Sequence, residues 1–288
     1  MNQHAVSPAA IHEFHYRVGA PVRGHFPGRH RSRRGDSGFE FRGHASLLDA
    51  PDPRRLDLHA SLRDPFGQWT VRVYSQRQSI PVLLVADLSA SMGFEGEWRK
   101  LDVLADFADS LAWSAWRSGD GFGFIGCADA VRADPYLPPT RARGAGAPLA
   151  QRLRALQPAG GSAHGLQQAH RHLGRQRSLV FLASDFHLPL ADVSAVLASF
   201  ANHDVVPVVL WDPAEFTLTA PRGLAAVADP EGGRQRLVWW RPALRERWAE
   251  RAAERRAALL HLFRAQRLKP LFIEGAFDAD AVTRHFHA

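Results

Sequence analysis

Residues 80–92 read "IPVLLVADLSASM". An apolar run of strand length ends at Asp87, and Ser89 and Ser91 follow at alternate positions. Alternate side chains of an extended segment point the same way, so Asp87, Ser89 and Ser91 converge on one side of the turn that leaves the strand. A run that is apolar at every position, not at every second one, predicts a strand covered on both faces, as in a parallel sheet between helices.

The surrounding sequence has the alternation such a sheet needs. "KLDVLADFADSLAWSAWRSG" (100–119) places apolar residues at 101, 104, 107, 108, 111 and 115, which is helical spacing. Gly119 is placed to stop that helix. Strands are predicted at 120–129, 178–185 and 204–212, and helices at 147–157, 163–174 and 190–203. Strands alternating with helices predict an α/β fold: a doubly wound, mainly parallel sheet with helices on both faces. Residues 224–240 read as a short β segment. Residues 241–266 read as a long helix opening on Pro242, with Leu244, Trp248, Ala252, Leu259, Leu262 and Phe263 as its apolar stripe. A last strand (269–276) and helix (278–286) follow. The expected division is an N-terminal Arg-rich loop and β extension (1–79), the doubly wound domain (80–212) and a C-terminal β/α extension (213–288).

Before residue 80 the pattern is irregular. "FEFRGH" (39–44) and "WTVRVYSQ" (69–76) alternate like half-buried strands, while the Arg-rich stretch 23–38 reads as loop. The Arg-Gly-Asp at 34–36 falls in that loop and is read as a chance tripeptide. Net charge is +7, with +5 over residues 1–80, +5 over 241–267 and −2 over 81–240. Basic flanks attract acidic partners or nucleic acid. Yet 34 of the 36 basic residues are Arg, a bias of composition as much as a binding device. No apolar run nears the ~18 residues of a membrane span. The N-terminal residues lack the apolar core of a secretory signal. The one cysteine, Cys127, cannot form an internal disulfide and reads as a buried, inert thiol. The expected location is cytoplasmic.

Two further oxygen donors end comparable segments. Asp185 closes the strand "SLVFLAS" as Asp87 closes "IPVLLVA", and Ser162 follows Gly160-Gly161, whose lack of side chains lets their loop approach closely. In open α/β sheets ligands bind beyond the carboxyl ends of the strands, where strand order reverses. Strands 80–86 and 178–184 are expected to be neighbours at that point. Asp87, Ser89, Ser91, Ser162 and Asp185 form an all-oxygen set that suits a hard divalent cation, Mg²⁺ first, with Mn²⁺ or Ca²⁺ as alternatives. Neutral hydroxyls leave much of the ion's charge uncompensated, so the set should welcome an outside carboxylate.

"DLSASM", "GGS" and "LASD" together resemble the metal-ion-dependent adhesion site of von Willebrand factor type A domains, with Ser162 where that family has Thr. The resemblance implies that the five residues hold the ion directly or through water. "SRRGDSGFEF" (32–41), "DPRRLDLHAS" (52–61) and "WDPAE…DPEGG" (211–233) are similar to the bacterial family called domain of unknown function 58. Here Ala50-Pro51 and Leu58 stand where that family has Gly-Asp and Trp. Many members carry two N-terminal membrane helices, which this chain lacks. Members often accompany MoxR-type AAA+ ATPases, so the resemblance implies such an ATPase as partner and an accessory, chaperone or assembly role.

No Gly-x-Ser-x-Gly elbow and no Walker loop occur, and no general base can be named, so no enzymatic activity is expected. The expected function is a protein that binds a partner's Glu or Asp through the metal. The alternatives are a nucleic-acid binder using the Arg-rich flanks and a scaffold with a vestigial ion site. His164, His170, His172 and His187 read as surface or capping residues, with His187 near enough to Asp185 to touch the site.

Overall fold

A computed structural model describes residues 13–17, 27–31, 40–75, 77–216, 223–228, 235–240 and 242–287. The chain divides into two compact units, residues 18–80 and residues 1–17 with 81–288.

The smaller unit is built on two antiparallel pairs. Strand β1 (Pro27–Arg31) has a place in the stretch read as loop, and β2 (Glu40–Ser46) follows. A short helix, α1 (Leu58–Leu62), precedes β3 (Thr70–Ser75) and β4 (Arg77–Gln78). β1 pairs with β4, and β2 pairs with β3. Asp57 caps α1 by accepting from Ala60 N at 3.1 Å and also accepts from Arg72 Nε at 2.7 Å. The Arg-Gly-Asp at 34–36 lies outside the described residues.

The larger unit is the doubly wound one. β5 (Pro81–Asp87), α2 (Lys100–Ser118), β6 (Gly121–Cys127), β7 (Val131–Thr140), α3 (Gly146–Ala155) and α4 (His164–Gln168) come first. Then come β8 (Leu179–Ser184), α5 (Leu190–Ser199), β9 (Asp204–Leu210), the hairpin β10 (Gly223–Ala228) and β11 (Gln235–Trp240), α6 (Pro242–Ala265), β12 (Leu271–Ile273) and α7 (Ala279–His287). The six-stranded sheet runs β12-β9-β8-β5-β6-β7, parallel except for β7. α2 ends at Gly119, whose φ of 77° is the left-handed conformation that glycine adopts without strain.

Both faces of the sheet are covered. On one, Leu83, Val85, Ile125, Val180 and Leu182 pack with α4, α5 and α6, which contribute Leu166, Val196, Leu259 and Phe263. On the other, Phe181 meets Phe107 of α2 edge to face at 5.4 Å, and Phe14 stacks on Phe107 at 5.8 Å. Each such buried side chain stabilises by about 1.5–3 kcal/mol. Strand order reverses between β5 and β8, which pair from Val82↔Leu179 to Ala86↔Ala183. That register sets Asp87 level with Ser184 and leaves Asp185 just beyond it.

β7 had no counterpart in the sequence reading. It carries Pro135, Pro138 and Pro139 and forms the sheet's edge, where a missing N–H leaves no ladder bond broken on the open side. Among the described residues no helix is long and apolar enough to cross a membrane.

Candidate metal centre

The loops after β5 and β8 meet at the carboxyl rim of the sheet. Asp87 is 1% exposed; its Oδ1 accepts from Ser89 N at 2.9 Å and its Oδ2 from Ser184 Oγ at 2.7 Å. The Ser89 and Ser91 hydroxyls lie 3.2 Å apart. The first motif presents its three oxygen-bearing side chains together, but Ser91 arrives on a 3₁₀ turn, Ala90–Gly93, that follows Ser89, and not by the extended alternation expected from the sequence. The loop before Ser162 docks on it, with Ala90 N donating to Gly160 O at 3.2 Å. Gly160 has φ 115°, and a Cβ there would stand 3.0 Å from Asp129 Oδ2. Ser162 itself turns to Asp129, donating from Oγ to Oδ1 at 2.8 Å.

Asp185 is equally buried, but it has a cation. Lys100 Nζ lies 3.0 Å from Asp185 Oδ2, donates to Ser91 O at 3.3 Å and pairs with Glu215 Oε1. His187 N donates to Asp185 Oδ1 at 3.2 Å, and His187 Nε2 meets Glu215 Oε2 at 3.2 Å. The histidine that sequence placed near the site is therefore part of it. Trp211 Nε1 donates to Asp185 O at 2.7 Å, and Arg255 reaches from α6 to the carbonyls of Phe186 and Leu188. Phe186 has φ 52°, strained for a residue with a Cβ, and is held by a bond from its N–H to Ser184 Oγ at 2.9 Å.

The two aspartates titrate in opposite senses. Burial and the charge of Asp185 push Asp87 up to about 6. Burial also pushes Asp185 up, but Lys100 and His187 outweigh it and hold Asp185 below the usual range. Burial pulls Lys100 down, and Asp185 with Glu215 reverses that. Negative charge at Asp87 is thus the least compensated in the cluster.

That imbalance bears on whether an ion fits. Among the described residues no group of three or more His, Cys, Asp or Glu is arranged to hold a metal. A hydroxyl-based site is a different arrangement. The 3.2 Å between the Ser89 and Ser91 oxygens is close to the roughly 2.9 Å edge of an octahedron with 2.0–2.1 Å bonds. The two hydroxyls are within hydrogen-bond distance of each other, and with Asp87 beside them they are oxygen donors of the kind a small hard cation takes. Ser162 and Asp185 are engaged with Asp129 and Lys100.

Lys100, Glu215, Ser184, Trp211 and Arg255 escaped the sequence reading. Lys100 had a signal: it is one of two lysines among 36 basic residues, and it opens a helix, where the macrodipole disfavours a cation. Glu215 is brought to it by folding alone.

A Paracoccus denitrificans protein described as "Uncharacterized protein in moxR 3'region" is 38% identical over 102 residues, which cover 35% of this chain and 96% of that protein. Among solved structures, BatB from Bacteroides thetaiotaomicron aligns with a TM-score of 0.44 at 14% identity, over 73% of this chain and 98% of that one. A von Willebrand factor type A protein from Catenulispora acidiphila gives 0.34 at 17% identity, over 62% and 43%. The profile that matches most of the sequence spans residues 51–258, and by it the chain belongs to the family described as "Protein of unknown function DUF58".

Proposed function

We propose that this protein captures an acidic side chain of a partner protein through a divalent cation at the carboxyl rim of its sheet, without catalysing a reaction. Asp87, Ser89 and Ser91 would hold the ion, with Ser162 and Asp185 as outer members of the set. Mg²⁺ is the ion of choice for so hard a donor set, with Mn²⁺ or Ca²⁺ as substitutes. When bound, it supplies a positive centre with room for a carboxylate. Ser184 and the Ser89 amide orient the Asp87 carboxylate, while Lys100 and Trp211 fix Asp185. The carrying observation is Asp87 itself: a buried carboxylate whose hydrogen bonds come from neutral donors, beside a second carboxylate. The partner we favour is a MoxR-type AAA+ ATPase, which this chain would assist as an accessory or assembly factor. The moxR-region location in the name of the Paracoccus relative supports that choice.

The test is affinity capture of such an ATPase, with titration of MgCl₂ by calorimetry alongside. Wild-type protein should show Mg²⁺-dependent heat and capture, and Asp87→Ala should lose both while keeping its melting behaviour. Capture that persists unchanged in EDTA overturns the metal bridge.

A further inference from the structure

One carboxylate already lies in this rim. Glu215 has a separate donor on each oxygen: the Lys100 ammonium on Oε1 and His187 Nε2 on Oε2 at 3.2 Å. A carboxylate oxygen accepts, so Nε2 carries the donated proton. We propose that Lys100 and His187 form a carboxylate-binding cradle, filled here by the chain's own Glu215, which a partner's Glu or Asp side chain enters by displacing it. The proposal deepens the reading that this rim captures an acidic side chain, and it holds with or without the metal.

Both donors have contacts besides Glu215. Asp185 anchors the Lys100 ammonium, taking Nζ at 3.0 Å on one oxygen, and holds the His187 backbone, taking its N–H at 3.2 Å on the other. Ser91 O accepts from Lys100 at 3.3 Å, and the His187 ring lies parallel to Trp211, within 5°, at 6.3 Å.

Glu215 reaches the cradle from a short turn. It ends a three-residue 3₁₀ turn, Pro213–Glu215, that follows β9. Around the turn, Ala214 N donates to Asp212 Oδ1 at 2.8 Å, Glu215 N to Asp212 O at 2.9 Å and Phe216 N to Pro213 O at 3.1 Å, while Trp98 N donates to Asp212 Oδ2 at 2.9 Å. Trp248 Nε1 adds one bond to Glu215 O at 3.0 Å. Short 3₁₀ turns have poorer bond geometry than α-helix. An intramolecular occupant lowers the apparent affinity for an outside carboxylate by the fraction of time the cradle is free.

A fluorescein-labelled oligoglutamate peptide, followed by fluorescence polarisation, tests this. Glu215→Gln keeps the shape and removes the competing charge, so it should bind the peptide about tenfold more tightly than wild type, as expected if the cradle is free about a tenth of the time. Lys100→Met in the Glu215→Gln background removes the cradle's ammonium and should abolish the gain. Glu250→Gln, on the exposed side of α6, makes the same change in net charge and should bind as wild type does. Equal or weaker binding by Glu215→Gln, or no binding by either protein, overturns the cradle. Tightening in Mg²⁺ and in EDTA alike supports the cradle and counts against the metal bridge; tightening in Mg²⁺ alone supports both. If Glu215→Gln fails to melt cooperatively, wild type answers by hydrogen exchange. The amides of residues 214–216 should exchange faster when the peptide is added, and unchanged protection overturns displacement.

Discussion

Lys100 Nζ stands 3.0 Å from Asp185 Oδ2, with the two side chains 3% and 2% exposed. A charge pair removed so fully from water is held together by the cost of leaving either member alone. Here the ammonium also serves Glu215, so one cation answers for two carboxylates, and Asp87 next to them has none of its own.

Lys100→Met should therefore be severe. It leaves Asp185 and Glu215 buried near each other without their cation. The expected loss is about 3–5 kcal/mol, the range for breaking a buried pair by removing one partner. Urea unfolding gives the number. If the rim takes a divalent ion, MgCl₂ should restore part of that stability in Lys100→Met and add less to wild type, because only the variant lacks an internal cation. A loss below about 1 kcal/mol would show that the pair is not sealed from water as described.

Cys127 lies on β6, fully buried, directly across from Asp87 of β5. Burial, with a smaller contribution from the Asp87 charge, pushes its thiol far above the ordinary value. The thiolate is the reactive form, so a thiol reagent such as iodoacetamide should leave the native protein unlabelled at neutral pH and label it fully in urea. Rapid labelling of folded protein would contradict the packing of the sheet around the site.

These expectations rest on features of unequal visibility in the sequence. β5, β8 and the Asp87–Asp185 juxtaposition were legible because continuous apolar runs ending in Asp leave little choice but buried parallel strands with carboxylates at their rim. Gly119 was legible because a left-handed residue is a common helix stop and glycine adopts that conformation without strain. β7 was not, because Pro135, Pro138 and Pro139 argue against a strand unless the chain is known to form an edge. The Ser89–Ser91 contact was expected from extended alternation but is made by the 3₁₀ turn Ala90–Gly93, and the direction of Ser162 depends on Asp129, which no motif names. Lys100 and Glu215 are 115 positions apart, so only the sheet's winding brings them together.

Asp57 gives the smaller unit a pH signature. Its carboxylate accepts from Arg72 Nε at 2.7 Å, from Ala60 N at 3.1 Å and meets His44 Nε2 at 3.1 Å. The Arg72 bond first, then the Ala60 amide and His44, hold its pKa well below the ordinary 3.8. A depressed carboxylate pKa stabilises the fold above the unfolded value, and that stability is lost as pH falls through the folded one. Asp57→Asn should thus melt below wild type near neutral pH, and the gap should narrow below about pH 4, where the unfolded carboxylate takes its proton. Calorimetry of both full-length proteins across that range reads the effect. A gap that stays constant with pH would mean that the carboxylate acts at this corner as a neutral cap for α1 and not as the ionised partner of Arg72.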